Sequence, residues 1–594
     1  MKPPFFGRYV LIGTLFALAC IAIIVQMVRI QDSTVAAELR VQAELYAGET
    51  HKIYPERGSI FDKWGHLLAG NEQVYEVGVD LQLVSNPETI AATLNRVLGT
   101  DYAQALATAS IPFVEGKAQY AILDDFITAD KVAELTRITK EFDKQAGSLS
   151  KDQKPPSLEG LVFTSHLKRS YPEGSLASNV LGFFSYLDRD KGRGYFGVEE
   201  KYNDLMSGTP QQVYIPYDPH LAQKLPDVPP GTSLILTLDR EIQANVEAIL
   251  DKAIQDTESN SGAIIVMDPN NGEILSMATT PRLNPNEYWK YTEVFPDATP
   301  FNRAISQTYE PGSVFKVLTM AAGIDSGTVT PESPFIDQGV YVIGGGYIYN
   351  WDGAAWGPQN MIGCMQHSLN VCLAWLADTI GPTNFYKYVQ SFGIGHLTGV
   401  DLSGEATYPI RLPGDGQWFP VDLGTNSFGQ GLAATPIQMV MATSAIANGQ
   451  GKMVAPHVLR AMVDNGRQYN TNSQVVGQPI SAQSAQTLTD MLALSLEEES
   501  SDALVPGYRV AGKTGTAEIP TPTGYSMDLT NASFVGWGPV GDPRFLVYVW
   551  LEKPRTSKWG SVVAAPVFRD VVKTLVVQME IPPDNQRQQL AVQR

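Results

Sequence analysis

A chain of 594 residues is too long for one compact core, so two or three domains are expected. Apolar residues make up 44% and charged residues 18%, a balance that excludes wholesale disorder. A formal net charge of -19 with no Lys/Arg-rich run excludes nucleic acid as a partner, because phosphate binding needs basic patches.

The first element is an uncharged, mostly apolar run from Tyr9 to Val28, about 20 residues, enough to cross a hydrocarbon core of ~30 Å. Lys2 and Arg8 precede it, while Asp32 and Glu38 follow Arg29, so the amino terminus is expected in the cytoplasm and the rest outside. The run is longer than the core of a cleaved signal peptide. Ala17-Leu18-Ala19-Cys20 only faintly resembles a lipoprotein cleavage site, since Leu is missing at the usual position. An uncleaved anchor over 9–30, after a cytoplasmic tail of 1–8, is therefore expected.

Val35 to Tyr46 has helix-forming composition, and alternation around Tyr75 to Leu81 predicts strands. Pro216, Pro219, Pro226, Pro229 and Pro230 then mark a linker or domain border. Ser233 to Leu238 reads as a strand, with Asp239 placed to cap a helix from Arg240. Gly262 to Asp268 and Glu273 to Ala278 flank an Asn271-Gly272 hairpin signal. Helices over Phe315 to Asp325, Met361 to Ala377 and Ile480 to Glu498 alternate with strands such as Phe545 to Leu551, which predicts an α+β or α/β domain. The last fifteen residues are polar and are expected to fray.

Cysteine and histidine carry little. Cys364 and Cys372 flank a stretch that reads as one helix, whose eight-residue rise of ~12 Å exceeds the ~7 Å limit for a bridge. No disulfide is expected, and both cysteines read as small core residues. The seven histidines form no HxxxH or HExxH pair, so no metal site is expected.

Three small motifs are more informative together. Ser313-Val314-Phe315-Lys316 follows Glu310-Pro311-Gly312 and opens an apolar helix. Residues i and i+3 share a helix face ~5–6 Å apart, so Lys316 can serve Ser313 as a base once burial or a second cation removes its charge. Alone the pattern is cheap, because a serine at a helix start with an exposed lysine is common. Ser368-Leu369-Asn370 offers a hydroxyl that could relay a proton and an amide that could hold a substrate carbonyl. Lys513-Thr514-Gly515-Thr516 follows the strand-like Tyr508 to Ala511 and offers a cation and two hydroxyls to a carboxylate. A backbone N–H of that strand, paired with that of Ser313, could stabilise an oxyanion. Gly507 to Thr514 also satisfies the GxxxxGK[ST] phosphate-loop pattern, but Pro520 and Pro522 exclude the helix that motif needs after its lysine.

SxxK, SxN and KTG follow in that order, 55 and 145 residues apart, which resembles the penicilloyl serine transferases, the penicillin-binding proteins and serine β-lactamases. Arg57-Gly58-Ser59-Ile60-Phe61-Asp62 through Gly65 and Leu68-Ala69, Arg169 to Gly174, Gly194 to Glu200 and Tyr202 to Gly208 resemble motifs of the class B pedestal. Gly262 to Pro281, Phe428 to Gly431 and Ala532 to Gly536 fit the same family's catalytic half.

The resemblance implies a multi-domain chain with an N-terminal transmembrane helix. An elongated α+β pedestal would span 31–225. A penicillin-binding/serine β-lactamase-like transpeptidase domain, its central antiparallel sheet flanked by helices, would span 226–580, followed by a polar tail over 581–594. It implies a single-pass protein of the bacterial plasma membrane that cross-links peptidoglycan stem peptides and is inhibited by β-lactams, with no cofactor or metal. Ser313 would be the nucleophile, Lys316 the base, Ser368 a proton relay and Asn370 the donor-positioning amide. Lys513 would add electrostatics and proton relay. Thr514, Gly515 and Thr516 would bind the carboxylate and, with the Ser313 N–H, form the oxyanion hole. A multi-spanning glycosyltransferase would be the membrane partner. Two departures stand out: Ser-Leu-Asn replaces the commoner Ser-Ser-Asn, and the acidic Glu497 to Asp502 replaces a Gly/Thr-rich approach to the KTG strand.

Tyr309 to Ser313 and Ala532 to Pro554 look more like the division type, so septal synthesis is expected, with elongation and cell shape as the alternative. A β-lactamase of this family is usually short and soluble, and a β-lactam sensor needs several spans or a cytoplasmic effector.

Overall fold

The computed structural model describes residues 6–115, 117–146, 156–188, 191–216, 228–297, 299–521 and 524–592. The chain divides into two compact units, Met1–Glu56 with Ser207–Gly231, and Arg57–Met206 with Thr232–Arg594. In the first unit α1 (Phe6–Gln31) is long enough to cross a membrane, and its apolar side chains, among them Leu11, Phe16 and Ile24, are exposed. At 1.5 Å per residue its 26 residues rise about 39 Å. A second helix, Thr34–Ala47, follows as the composition requires, and Gly48–Ile53 pairs antiparallel with Gln211–Pro216. Most of the proline-rich border lies outside the described residues, which resume at residue 228.

In the second unit a long strand, Leu67–Asp80, pairs antiparallel with both Tyr120–Ile127 and Leu161–Ser170. Helices Pro87–Leu98 and Ala129–Ala146 cover it through Ile90, Leu94, Leu135 and Ile138, packed on Val77 and Val79. Three separate sequence motifs converge here on one fully buried carboxylate, Glu199. Arg57 Nη2 donates to its Oε2 at 2.6 Å, Arg169 Nε to its Oε1 at 2.8 Å, and Tyr171 Oη to Oε1 at 3.0 Å. Burial alone would raise the Glu199 carboxyl, but Arg169 and Arg57 outweigh it and hold it below the ordinary range. Arg169 Nη1 also donates to Gly58 O at 2.8 Å, tying motifs 111 residues apart.

The catalytic half is built on a five-stranded antiparallel sheet. Its strands are β1 (Ser261–Met267), β2 (Ile274–Thr279), β3 (Ala511–Thr521), β4 (Gly524–Gly538) and β5 (Phe545–Glu552), in the order β2-β1-β5-β4-β3. β1 and β5 read as unbroken apolar runs because helices cover both faces. On one face lie α2 (Arg240–Thr257), capped by Asp239 Oδ1, and α8 (Ala565–Gln578). On the other lie α3 (Lys316–Asp325), α4 (Met361–Gln366), α5 (Asn370–Ile380), α6 (Pro436–Ala447) and α7 (Ala482–Glu498).

Three expectations are corrected. The helix over Met361 to Ala377 is broken between α4 and α5, where Ser368 takes the left-handed φ of 55°. The ~12 Å rise presumed an unbroken helix; because the chain turns back, the Cα atoms of Cys364 and Cys372 stand 6.1 Å apart and the two sulfurs form a disulfide. Second, the KTG residues lie inside β3, which begins at Ala511, rather than after a strand over Tyr508 to Ala511. Third, the polar C-terminal stretch forms a helix, Asp584–Val592, instead of fraying at once. Asp584 Oδ2 accepts from Arg509 N at 2.6 Å, and Oδ1 from Arg587 Nη2 at 2.6 Å.

Candidate active site

Ser313 sits in a short 3₁₀ turn, Gly312–Phe315, that runs into α3. Two backbone ties fix this turn. Gly312 N donates to Gly429 O at 3.0 Å, and Tyr309 and Ala434 exchange backbone bonds of 3.1 and 2.9 Å. Gly429 has a φ of +80°, and a Cβ there would stand 2.4 Å from Gly312 O. The glycines of Phe428 to Gly431 therefore allow the close approach that holds the serine turn. Gly515 does the same on the sheet side, where a Cβ would come within 2.2 Å of Ser533 Oγ.

Lys316, one turn beyond Ser313, is 0% exposed. Its Nζ donates to Ser368 O at 2.6 Å and Asn370 Oδ1 at 2.7 Å, and lies 3.1 Å from Ser368 Oγ. All three contacts come from the break between α4 and α5, the segment bracketed by the Cys364–Cys372 disulfide. Burial first, then the Lys513 cation, push the Lys316 amine well below its usual value. The carbonyl and the amide oxygen can only accept, so they match the two N–H bonds of a neutral amine and leave its lone pair for a hydroxyl. Asn370 is oriented in turn by donating Nδ2 to Tyr349 O at 3.1 Å.

Lys513, on β3, is 5% exposed, and its Nζ lies 3.2 Å from Thr514 Oγ1. Burial pushes its amine down to about 8, with Glu499 acting in the opposite sense. Thr516 Oγ1 accepts from Gly560 N at 3.0 Å, which sets the loop that carries Trp559 beside the strand.

A cavity of about 960 Å³ collects these groups: Ser313, Ser368, Asn370, Thr514 and Thr516 all line it. Lys316, Lys513 and Gly515 are not among its lining residues. A cleft this size holds a peptide. Sequence reading missed part of its rim. Trp351 and Trp559 meet edge-on at 5.2 Å between ring centroids, Tyr349 and Glu499 line the same opening, and Glu518 stands two residues beyond Thr516. The spacing of Glu518 from Thr516 on one strand face was the available signal for it; the tryptophans come from loops that no periodicity marks.

Comparisons with known proteins match both parts of the chain. A family model described as the penicillin binding protein transpeptidase domain matches residues 262–573, and one described as the penicillin-binding protein dimerisation domain matches residues 52–222. The chain is 31% identical to stage V sporulation protein D of Bacillus subtilis (strain 168) over 548 residues, 89% of this chain and 79% of that protein. It is 26% identical to the peptidoglycan D,D-transpeptidase FtsI of Escherichia coli (strain K12) over 555 residues, 91% of this chain and 87% of that protein. Penicillin binding protein 2X from Streptococcus thermophilus has the same fold, with a TM-score of 0.73 at 24% identity over 89% of this chain and 80% of that structure.

Proposed function

Because this chain belongs to the class B penicillin-binding proteins and is a peptidoglycan D,D-transpeptidase, we propose that Ser313 is its nucleophile and septal wall synthesis its task. Ser313 Oγ attacks the carbonyl of the penultimate D-Ala of a donor stem, and its proton passes to neutral Lys316 Nζ. Ser368 hands a proton to the departing D-Ala amine, and the N–H groups of Ser313 and Thr516 hold the oxyanion. Asn370 aligns the donor peptide. Lys513, Thr514 and Thr516 receive its carboxylate. An amine of a second stem then attacks the ester, and Ser313 regains its proton.

The observation that carries this reading is Lys316, fully buried and bound to Ser368 and Asn370, with a second lysine to disfavour its charge. Labelling the full chain and Ser313→Ala with a fluorescent penicillin tests it: wild type retains the label and the variant does not. Equal labelling would overturn the assignment.

The septal role is supported by the sequence character around Tyr309 to Ser313 and by the FtsI relative, which aligns over most of both chains. α1 serves as a single membrane anchor, with Arg8 on the cytoplasmic side and the catalytic half outside. A multi-spanning glycosyltransferase of the wall machinery is the partner expected through this anchor and the pedestal. A tagged copy should gather at the septum; sidewall distribution would favour elongation.

A further inference from the structure

A second cavity of about 530 Å³ lies beside the first, and Glu518 lines both. Its walls include Glu310, Arg411, Glu552 and Lys553. Glu310 precedes Ser313 by three residues, so the cavity adjoins the segment that leads into the serine turn.

The pairing of charges in this cavity leaves Glu310 and Glu518 out. Glu552 is engaged by Arg303 at 3.2 Å and Lys553 at 3.8 Å. Arg411 donates to backbone carbonyls, Gly431 O at 2.9 Å and Gln417 O at 3.4 Å, rather than to a carboxylate. Glu310 and Glu518 have no ion-pair partner among the described residues. Glu310 Oε1 accepts from Tyr525 Oη at 3.1 Å, while its Oε2 is buried and makes no hydrogen bond. A carboxylate held away from water with an unmet oxygen is costly until a donor reaches it.

The second substrate of transpeptidation supplies such a donor. It is an amine, carried as an ammonium near neutral pH, and it must come to the acyl ester from outside the donor cleft. We propose that this cavity is the acceptor site, receiving the primary ammonium of the incoming stem between Glu310 and Glu518. The assignment rests on Ser313 being the acylated residue.

The ammonium gives one proton to the Glu310 carboxylate, and the neutral nitrogen attacks the ester carbon. A C–N bond forms, the C–Oγ bond breaks, and the second nitrogen proton ends on Ser313 Oγ. Burial first pushes the Glu310 carboxyl up to about 7, with Glu518 adding to the effect and Tyr525, the Gly431 amide and Arg411 opposing it. That basicity suits a group that accepts a proton at neutral pH.

The test uses the full chain, acylated by an N-acyl-D-alanyl thioester in the presence of both glycine amide, a cationic acceptor, and methanol, a neutral one. The ratio of amide to methyl ester formed cancels any effect on acylation. In Glu310→Gln and in Glu518→Gln the ratio is expected to fall at least 10-fold, because only the cationic nucleophile loses its carboxylate. A ratio within two-fold of wild type in both variants would overturn the proposal, as would a parallel fall of both products. Should Glu310→Gln not fold, Glu518→Gln decides alone. Absence of any Ser313-dependent acyl-enzyme in wild type would instead overturn the nucleophile assignment, and this proposal with it.

Discussion

The Cys364–Cys372 disulfide closes a loop of sequence separation 8 around the residues that hold Lys316. Replacing both cysteines by alanine removes that closure without burying two unpartnered hydroxyls. In the chain-entropy treatment, a loop of about nine residues is worth about 2.5 kcal/mol at 25 °C. Loss of that constraint raises the population of the locally opened segment roughly 70-fold. The opened state costs more than loop order. The three polar contacts of Lys316 Nζ are all with Ser368 and Asn370, so opening strips the proposed base of these hydrogen-bond partners at once. Hydrogen exchange across Met361–Ile380 measures the opening directly, and stopped-flow acylation by a fluorescent penicillin measures its chemical consequence. The expected result is faster exchange confined to this segment, together with slower acylation. Reducing the wild-type protein should reproduce both effects. Exchange within three-fold of wild type across 361–380, with acylation intact, would refute the reasoning.

Other perturbations test separate parts of the site. Gly429→Ala places a Cβ 2.4 Å from Gly312 O at a φ of +80°, so penicillin acylation should fall at least 10-fold while the fold survives, as judged by circular dichroism. Lys513→Ala removes the cation that helps keep Lys316 neutral, so the ascending limb of the pH–acylation profile should move to higher pH; an unmoved limb would exclude that coupling. Lys513 has a folded-state value depressed to about 8, so the unfolded chain binds more protons between about pH 8 and about 10.4. The wild type should gain stability relative to Lys513→Met as pH rises through that window, measured as the difference in thermal midpoints. Arg169→Ala leaves Glu199 buried with one arginine instead of two; a loss approaching about 3 kcal/mol is expected, read as earlier proteolysis of the pedestal strands.

The parts legible in the sequence were those set by local chemistry. Asp239 caps its helix and Asn271-Gly272 turns its hairpin because capping and turn geometry depend on neighbouring residues alone. The apolar runs of β1 and β5 and the length of α1 likewise carry their own signal. The break at Ser368 was not legible. Met361 to Ala377 has helical composition throughout, and the turn is imposed by tertiary contacts: Asn350 Oδ1 accepts from Val371 N at 3.2 Å, and Lys316 draws in Ser368 O. The disulfide followed from that break and was missed with it. Glu199 shows the same limit from the other side. Its motif was visible, but not that Arg57 and Arg169, 142 and 30 residues away, would meet on its two oxygens.

The candidate active site shares this property, since none of its groups acquires its surroundings locally. The Lys316 amine is pushed well below its usual value because it is fully buried and β3 supplies a competing cation. Ser313 is held because Gly429 lets a distant turn reach Gly312. Glu310 has no ion-pair partner among the described residues, the nearby arginine donating to backbone carbonyls instead. On the proposed assignment, a serine three residues from a lysine becomes a nucleophile only when these remote segments arrive together. It follows that substitutions at Gly429, Asn350 or Cys364, none of which touches a reacting atom, should impair acylation more than conservative changes at the exposed rim residues Tyr347 or Trp351.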